Sequence, residues 1–358
     1  MIFTLWVAFG LYHLAFTLIF ALAFSKYRHA ENERSPAISV VIAARNELKN
    51  LKQLIPALLQ QDYMDFEVIV ALDRCTDESK KYLKALAHPK VKSVEISEVP
   101  TGWNPKKYAL TSAIDTASGE WLVLTDADCV PLSNQWLKNV TGNMKDGTEI
   151  ILGVSPYRAH GTFLSHFIRF ESFMTAFSYI SKAHYGRPYM GVGRNMAIRK
   201  SFFHKVGGYL PFKSITGGDD DLFIQKNATT TNTRVVLGRE SLMETEPEQT
   251  WKAYFHQKVR HLSVGHFYKK SDQLILGLNH GVHFLFVTGC LFNTTHSFFW
   301  PTLLFYLFIK FMSYRFAAGK IGTSINYLLL PLVDMLYALL TPVIALRSKL
   351  VKDIKWKN

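Results

Sequence analysis

The stretch Ile38-Ser39-Val40-Val41-Ile42-Ala43-Ala44-Arg45-Asn46-Glu47 decides the fold. Its first seven residues carry no charge and are rich in β-branched side chains. A strand with one wet face would alternate apolar and polar residues. This one does not, so it reads as a parallel strand covered on both faces. Asn46 is expected to cap the following helix, with Glu47 in its first turn. That helix shows Leu48, Leu51, Leu54, Ile55, Leu58 and Leu59 at near-helical spacing.

The same unit repeats outward. Residues 66–72 read as a second strand ending at Asp73, and Asp77 is expected to cap a helix through Leu83 and Leu86. Residues 91–96 read as a third strand. Pro105 suits the first turn of a helix over 106–116. A fourth strand, 120–125, ends at Asp126-Ala127-Asp128. Strands alternating with helices at this spacing predict a doubly wound parallel sheet, within one soluble α/β domain spanning about 35–272.

The chain has 358 residues, with 41 basic against 28 acidic (net +13), 48% apolar and 19% charged. A disordered acidic chain, a collagen-like repeat and a disulfide-rich miniprotein are excluded. Cys75, Cys129 and Cys290 are too few and scattered for a disulfide framework or zinc ribbon, which points to a reducing compartment. The basic excess lies beside long apolar runs. It is therefore assigned to an anionic membrane surface and not to nucleic acid.

Residues 2–24 contain no Asp, Glu, Lys or Arg and are long enough to span a bilayer. A cleaved signal peptide ending at Ala21-Leu22-Ala23 is the alternative. No basic residue precedes the run and it is too long for an h-region, so an uncleaved anchor is expected. Residues 273–309 suit a hairpin of two crossings, turning near Asn293-Thr294-Thr295-His296. Residues 321–346 carry only Asp334 and are punctuated by Pro331 and Pro342. Lys26, Arg28 and Arg34 follow the first run, and Lys269 and Lys270 precede the second. The bias places the N-terminus outside and the central region in the cytoplasm. The hairpin returns to Lys310, Arg315 and Lys320. A simple third crossing would put Arg347, Lys349, Lys352, Lys355 and Lys357 outside, against the bias. A re-entrant or interfacial segment would keep them inside. Both readings stay open.

Ligands of open α/β sheets bind beyond the carboxyl ends of the strands. Arg45, Asn46 and Glu47, then Asp73, then Asp126 and Asp128 all fall there. No G-x-G-x-x-G follows the first strand and no P-loop signature exists, which disfavours dinucleotide and P-loop sites. Asp126 and Asp128 form a two-carboxylate fork suited to a divalent ion completed by a substrate diphosphate; a turn capped by Asp128 is the plain alternative. Lys106, at a helix start, suits phosphate oxygens. Asp219-Asp220-Asp221 suits a helix N-terminus, or a general base whose pKa is raised by neighbouring acids. Glycosyl transfer from a nucleotide diphosphate needs one base for the acceptor hydroxyl and neutralisation of the departing diphosphate; these groups cover both demands. Gln257 and Arg260 lie three apart on a helix starting at Thr250-Trp251, so one face presents both; a basic helix resting on lipid headgroups is a compatible reading.

In this order the motifs resemble family 2 glycosyltransferases, the GT-A-fold group with membrane polysaccharide synthases and lipid glycosyltransferases. The resemblance spans about 39–266. It implies nucleotide binding by the first strand and loop, including Ala43, Arg45 and Glu47, and base binding by Asp73. Lys106 sits in a segment similar to the family's K-x-x-A-L. Asp126 and Asp128 match its D-x-D, which implies metal (Mg²⁺ or Mn²⁺) and diphosphate binding. Arg194 and Asn195 lie in a segment, Gly191 to Met196, that looks like the acceptor side. Asp219 falls at the catalytic base of E-D-x-D-L, with Gly218 replacing Glu; Asp220 is the off-by-one choice. Gln257, Arg260 and His261 resemble Q-x-x-R-W, with His261 replacing tryptophan.

The expectation is a GT-A-type doubly wound mixed sheet with one N-terminal and two to three C-terminal membrane helices. Its parts are an anchor (1–24), the glycosyltransferase domain (35–250), an amphipathic interfacial helix (251–272), a transmembrane region (273–346) and a basic tail (347–358). The implied enzyme is an inverting membrane glycosyltransferase. It moves a sugar from a nucleotide-diphosphate sugar to a membrane lipid or glycan acceptor at the cytoplasmic face. A processive polysaccharide synthase, a non-catalytic GT-A scaffold and a nucleotidyltransferase are the alternatives. The His261 substitution and the small membrane portion favour addition of one or a few sugars.

Overall fold

The computed structural model describes residues 1–28 and 35–350. Arg34, Lys352, Lys355 and Lys357 lie outside the described residues. Two compact units result. Residues 28, 35–156 and 185–246 form a sheet unit. Residues 1–27, 157–184 and 247–350 form a helical unit.

The chain opens with helix α1 (Ile2–Ala23). The sheet unit then runs β1 (Ile38–Ala44), α2 (Leu48–Leu59), β2 (Phe66–Asp73), α3 (Ser79–Leu86), β3 (Val91–Ile96), α4 (Pro105–Thr116), β4 (Trp121–Asp126), β5 (Cys129–Pro131), α5 (Trp136–Thr141) and β6 (Ile150–Leu152). Helix α6 (Phe163–His184) belongs to the helical unit. The sheet unit resumes with β7 (Met196–Arg199), α7 (Lys200–Lys205), α8 (Asp221–Asn227), β8 (Thr233–Val235) and β9 (Met243–Thr245). The chain closes with α9 (Trp251–Leu262), α10 (Lys270–Gly289), α11 (Phe299–Ile321) and α12 (Leu330–Leu350).

The main sheet has the order β3-β2-β1-β4-β7-β6-β8. β3, β2, β1 and β4 are parallel, and β7 runs antiparallel to β4 and β6, so the sheet is mixed. β5 and β9 pair separately. Every residue of β1 and β2 is buried, which is why their sequences do not alternate. Leu51, Leu54, Ile55 and Leu58 of α2 are buried in one cluster with Val40, Ile42, Val68, Val70 and Val123.

One local expectation is corrected. Asn46 does not cap α2. It adopts a left-handed backbone (φ 57°), a conformation asparagine tolerates. Its Oδ1 accepts from the backbone N–H groups of Thr76 (2.8 Å) and Asp77 (3.3 Å). The free N–H at the start of α2, that of Leu48, donates instead to Asp77 Oδ2 (3.0 Å). Asp77 also accepts from Ser79 N at the start of α3 (3.1 Å). The loops after β1 and β2 are thus stitched crosswise.

The opposite end of the sheet is held by one carboxylate. Glu67 of β2 accepts from Ser39 Oγ (2.7 Å) and from the N–H and hydroxyl of Ser118 (both 2.6 Å), and pairs with Lys92 (2.6 Å). Burial alone would raise its pKa; Lys92, Ser118 and Ser39 outweigh that and bring it down to about 2. Gly119 lets the chain pass this point, since a Cβ there would lie 2.5 Å from Ser39 N.

In the helical unit α1, α10 and α12 are long and apolar enough to cross a membrane. α10 and α11 are joined through residues 290–298, where a hairpin turn was expected. Trp6 of α1 donates its indole N–H to Phe286 O (3.0 Å) and stacks on the Phe286 ring. Lys310 of α11 is buried: its Nζ lies 2.7 Å from Asp334 of α12, 3.1 Å from His283 of α10 and 3.1 Å from Tyr306. A charge at that depth is tolerated only when paired in this way. α6 is tied to α10 by Lys182–Asp272 and to α9 by Glu171–Lys258. α9 starts at Trp251, beside the expected Thr250-Trp251 start, and Thr250 caps it, accepting from Ala253 N (3.2 Å).

Replacing Glu67 with Leu strands several buried donors at once, so thermal unfolding in detergent should show a loss of about 2–3 kcal/mol. The carboxylate stabilises only when ionised. The advantage of wild type over Glu67→Gln should therefore be complete above the ordinary glutamate pKa of 4.5 and vanish as pH falls through about 2.

Candidate active site

From β1 the chain turns one way, to β2 and β3, and α4 returns it to β4 on the other flank. The reversal opens a crevice between the carboxyl ends of β1 and β4. The register places Asp126 opposite Ala43, and Ala43 opposite Ala71. Two small side chains therefore stand in register beside the first acidic residue. Arg45 and Glu47 are half-buried at its edge, and Glu47 accepts from Asn50 Nδ2 (2.6 Å).

Asp73 ends β2 with its carboxylate fully buried. Arg74 clamps it through two bonds, Nε to Oδ1 (2.8 Å) and Nη2 to Oδ2 (3.1 Å). Arg74 sits at φ 47°, which costs roughly 1–2 kcal/mol for a residue with a Cβ. Nothing in residue spacing announced this clamp, because neighbouring Asp and Arg ordinarily point apart on a strand.

Asn104 caps α4 and Pro105 starts it, so Lys106 and Lys107 leave the first turn. Lys106 Nζ lies 2.9 Å from Asp126 Oδ1 and 3.0 Å from Asp219 Oδ2. Burial disfavours its charge, but Asp126, Asp219 and Asp220 more than restore it and hold the ammonium well above its ordinary pKa. The expected phosphate-binding lysine thus bridges the metal-side carboxylate and the expected base. Lys107, which sequence reasoning passed over, is wholly buried and donates to the carbonyls of Ile215 and Gly217, two residues before Asp219. Burial brings its pKa down to about 8.

Asp220 caps α8 and also accepts from Gly193 N (2.7 Å). A Cβ on Gly193 would lie 3.4 Å from carboxylate oxygens of both Asp219 and Asp220, so the segment before Arg194 runs against the acidic pair. The expectation that neighbouring acids raise the pKa of Asp219 is corrected. Burial pushes it up, but Lys106 and Lys107 outweigh burial and lower it. Asp220 is the raised carboxyl, through burial and then the charge of Asp219.

Asp128 lies two residues beyond the end of β4. Burial, then the charge of Asp126, raises its pKa, and Arg194 partly offsets this. Two crowded carboxylates are what a hard cation relieves, and oxygen donors suit Mg²⁺ or Mn²⁺. Among the described residues no group of three or more His, Cys, Asp or Glu side chains forms a complete cage. That fits an ion that takes one or two carboxylates and completes its shell with water and substrate phosphate. Asp126 and Asp128 are the residues that would hold it.

Asn195 has a structural position. It is buried, donates to Val154 O and Ser241 O (both 2.8 Å) and accepts from Trp136 Nε1 (3.1 Å). Arg194 donates to Ser155 O (3.4 Å). Gln257, Arg260 and His261 all lie on α9, in the helical unit. Gln257 donates to Glu248 (3.1 Å), Arg260 is half-buried and His261 is exposed.

Residues 39–207 match the family model described as Glycosyl transferase family 2. They form a family 2 glycosyltransferase domain. The chain is 26% identical over 241 residues to a probable glycosyltransferase of Bacillus subtilis (strain 168), covering 63% of this chain and 54% of that one. It is 33% identical over 123 residues to a 4,4'-diaponeurosporenoate glycosyltransferase of Staphylococcus haemolyticus, covering 34% and 32%. The chain thus spans about half the length of the first of these relatives, and less of the second. Among solved structures, a mannosyltransferase from Pyrobaculum calidifontis in complex with GDP-Man and Mn²⁺ shares the fold, at TM-score 0.59, 16% identity and 98% coverage of both chains.

Lys107 holds the loop that brings Asp219 to Lys106. Lys107→Met should speed amide exchange over residues 215–219, relative to intrinsic rates. Burial lowers the pKa of Lys107 to about 8, so the closed loop favours the neutral amine, and in wild type its protection relative to intrinsic rates should rise as pH goes from about 8 toward the ordinary lysine value of 10.5. Lys107→Arg, charged throughout, should show no such rise.

Proposed function

We propose that the chain is an inverting glycosyltransferase acting at the cytoplasmic membrane face, with a nucleotide-diphosphate sugar as donor and a membrane lipid or glycan as acceptor. The observation that carries this reading is the single ammonium of Lys106 between Asp126 and Asp219. It links a carboxylate suited to the diphosphate side with one suited to the acceptor side.

Donor and acceptor have separate residues in this reading. Asp73, Ala43, Arg45 and Glu47 line the nucleotide end of the crevice. Asp126 and Asp128 would hold a divalent cation, which when bound would neutralise charge on the departing diphosphate. Lys106 serves the same phosphates, and as they draw on its charge, Asp219 is released to act as base. The acceptor hydroxyl then attacks the anomeric carbon as the carbon–oxygen bond to diphosphate breaks. Its proton passes to Asp219. One displacement inverts the anomeric centre. Arg194 and the segment around Gly193 border the acceptor side, and Asn195 positions that segment. Gln257, Arg260 and His261 on α9 contribute to acceptor binding.

The membrane acceptor is supported by the apolar helices and by the basic residues Lys26, Lys269, Lys270 and Lys320 at their ends. A relative named for 4,4'-diaponeurosporenoate supports an acceptor other than a growing polymer.

Incubation with a panel of nucleotide sugars and Mg²⁺ or Mn²⁺ tests the reading directly, with nucleotide release as the signal. Excess chelator should abolish turnover, and Asp128→Asn should remove most of it without changing thermal stability. Full turnover in chelator would remove the metal from the mechanism.

A positioned base contributes about 10²–10⁴-fold, so Asp219→Asn should lose roughly that in kcat with near-normal donor affinity. Asp220→Asn should be milder, because Asp220 is committed to Gly193 and the start of α8. A dead Asp220→Asn beside a normal Asp219→Asn would shift the base by one residue.

A further inference from the structure

Helix α12 is long and apolar enough to cross a bilayer, yet its contacts run it the other way. α10 and α11 run antiparallel, since Phe286 packs on Tyr306 and His283 meets Lys310, so Lys270 and Ile321 lie at one end of the pair and Asn293 at the other. α1 runs antiparallel to α10, because Trp6 stacks on Phe286 and His13 on His283. Lys26 therefore shares the face of Lys270. Asp334, in the second turn of α12, meets Lys310 (2.7 Å) and His283 (3.2 Å), partway along both arms. Three residues later Tyr337 packs on His280 (5.7 Å between rings), nearer the start of α10. Tyr337 also reaches Phe170 of α6, as Tyr314 does. Each step along α12 thus descends toward Lys270 and Ile321. Its flank rests on α9 and on the 3-10 turn Ser263–Phe267 just before α10.

The connecting segment climbs to that start. The Tyr327 ring packs on Phe311 (5.1 Å). From Ile321 back to Phe311 is about 15 Å of helix, and five extended residues from Gly322 to Tyr327 cover about 17 Å. Irregular backbone at membrane depth needs its polar groups met within the protein. Gly322 N and Thr323 N donate to Ala318 O, and Arg169 donates to Ser324 O (2.8 Å). Asn326 Oδ1 accepts from Leu328 N (3.1 Å) and Leu329 N (3.3 Å).

We propose that residues 322–350 form a re-entrant unit, pinned at its apex by Lys310–Asp334, which leaves the membrane on the face it entered and adds its basic end to a surface for anionic lipid headgroups. From Asp334 to Leu350 is about 24 Å of helix, against about 16 Å from Lys310 to Ile321. The end of α12 therefore passes beyond that of α11, to headgroup level. Arg347 and Lys349 join Lys26, Lys269, Lys270, Arg315 and Lys320 there, so every one of these basic residues obeys the same bias. A third crossing would instead strand Arg347 and Lys349 on the far side.

Sidedness decides it. In a background with Cys75, Cys129 and Cys290 replaced by Ala, single Lys349→Cys, Lys269→Cys and Ile2→Cys changes are treated with an impermeant maleimide in sealed vesicles of one orientation. Lys349→Cys and Lys269→Cys should react from one side and Ile2→Cys from the other. Reaction of Lys349→Cys together with Ile2→Cys overturns the proposal. A C-terminal epitope tag on the otherwise unchanged chain, probed by antibody in the same vesicles, repeats the test without cysteine changes: a tag on the Ile2 side equally overturns it.

Discussion

The buried ammonium of Lys106 is the constraint on which the reactive end of the sheet unit depends. It meets Asp126 at the end of β4 and Asp219 before α8, two segments far apart in the chain. Helix N-termini favour anions, so two lysines in the first turn of α4 are electrostatically misplaced by the helix alone. The surrounding carboxylates reverse that balance. Buried ion pairs rarely add net stability. A cluster of perturbed acids and lysines at a sheet switch point is therefore better understood as a site than as a staple.

The two ends of the parallel strands do different work. At the amino ends Glu67 satisfies β1, β3 and the approach to β4 with ordinary backbone geometry. At the carboxyl ends Asn46 and Arg74 hold left-handed conformations, Asn46 with its side chain accepting from the loop after β2 and Arg74 with its guanidinium on the adjacent Asp73. Strain of this kind persists only where surrounding contacts over-determine it. Here it leaves Ala43, Arg45, Asp73 and Asp126 around one crevice on a rigid sheet.

The helical unit is assembled from three separated stretches of chain, and polar contacts set how they associate. Between apolar helices, lipid is as good a neighbour as leucine, so burial of apolar surface chooses no register. Lys310, Asp334, His283, Tyr306 and His13 do choose one, because none of these groups can be left unpaired. Lys182–Asp272 and Glu171–Lys258 bring α6 to the same bundle from the middle of the sheet-forming sequence.

Much was legible in the residues alone. The uncharged β-branched run of β1, the apolar or β-branched character of the next three strands and the helical spacing between them located these strands and their helices to within a residue, because strand composition and a 3.6-residue period are local signals. The acids at strand ends, Asp73, Asp126 and Asp128, were legible for the same reason. Other features followed only from the fold. Asn46 was expected to cap α2, and only the approach of the β2 loop made it a crosswise staple. Asp219 was expected to have a raised pKa from its sequence neighbours. A lysine more than a hundred residues away lowers it, since Coulomb energy depends on distance in space and not along the chain. Lys107 and Arg74 drew no notice as charged residues beside other charged residues. Burial against particular carbonyls and a particular carboxylate gives them their work. The apolar length of α12 permitted a crossing, and its direction rests on where Asp334 finds Lys310: hydropathy records whether a segment enters lipid, while pairing of buried charges decides which way it runs.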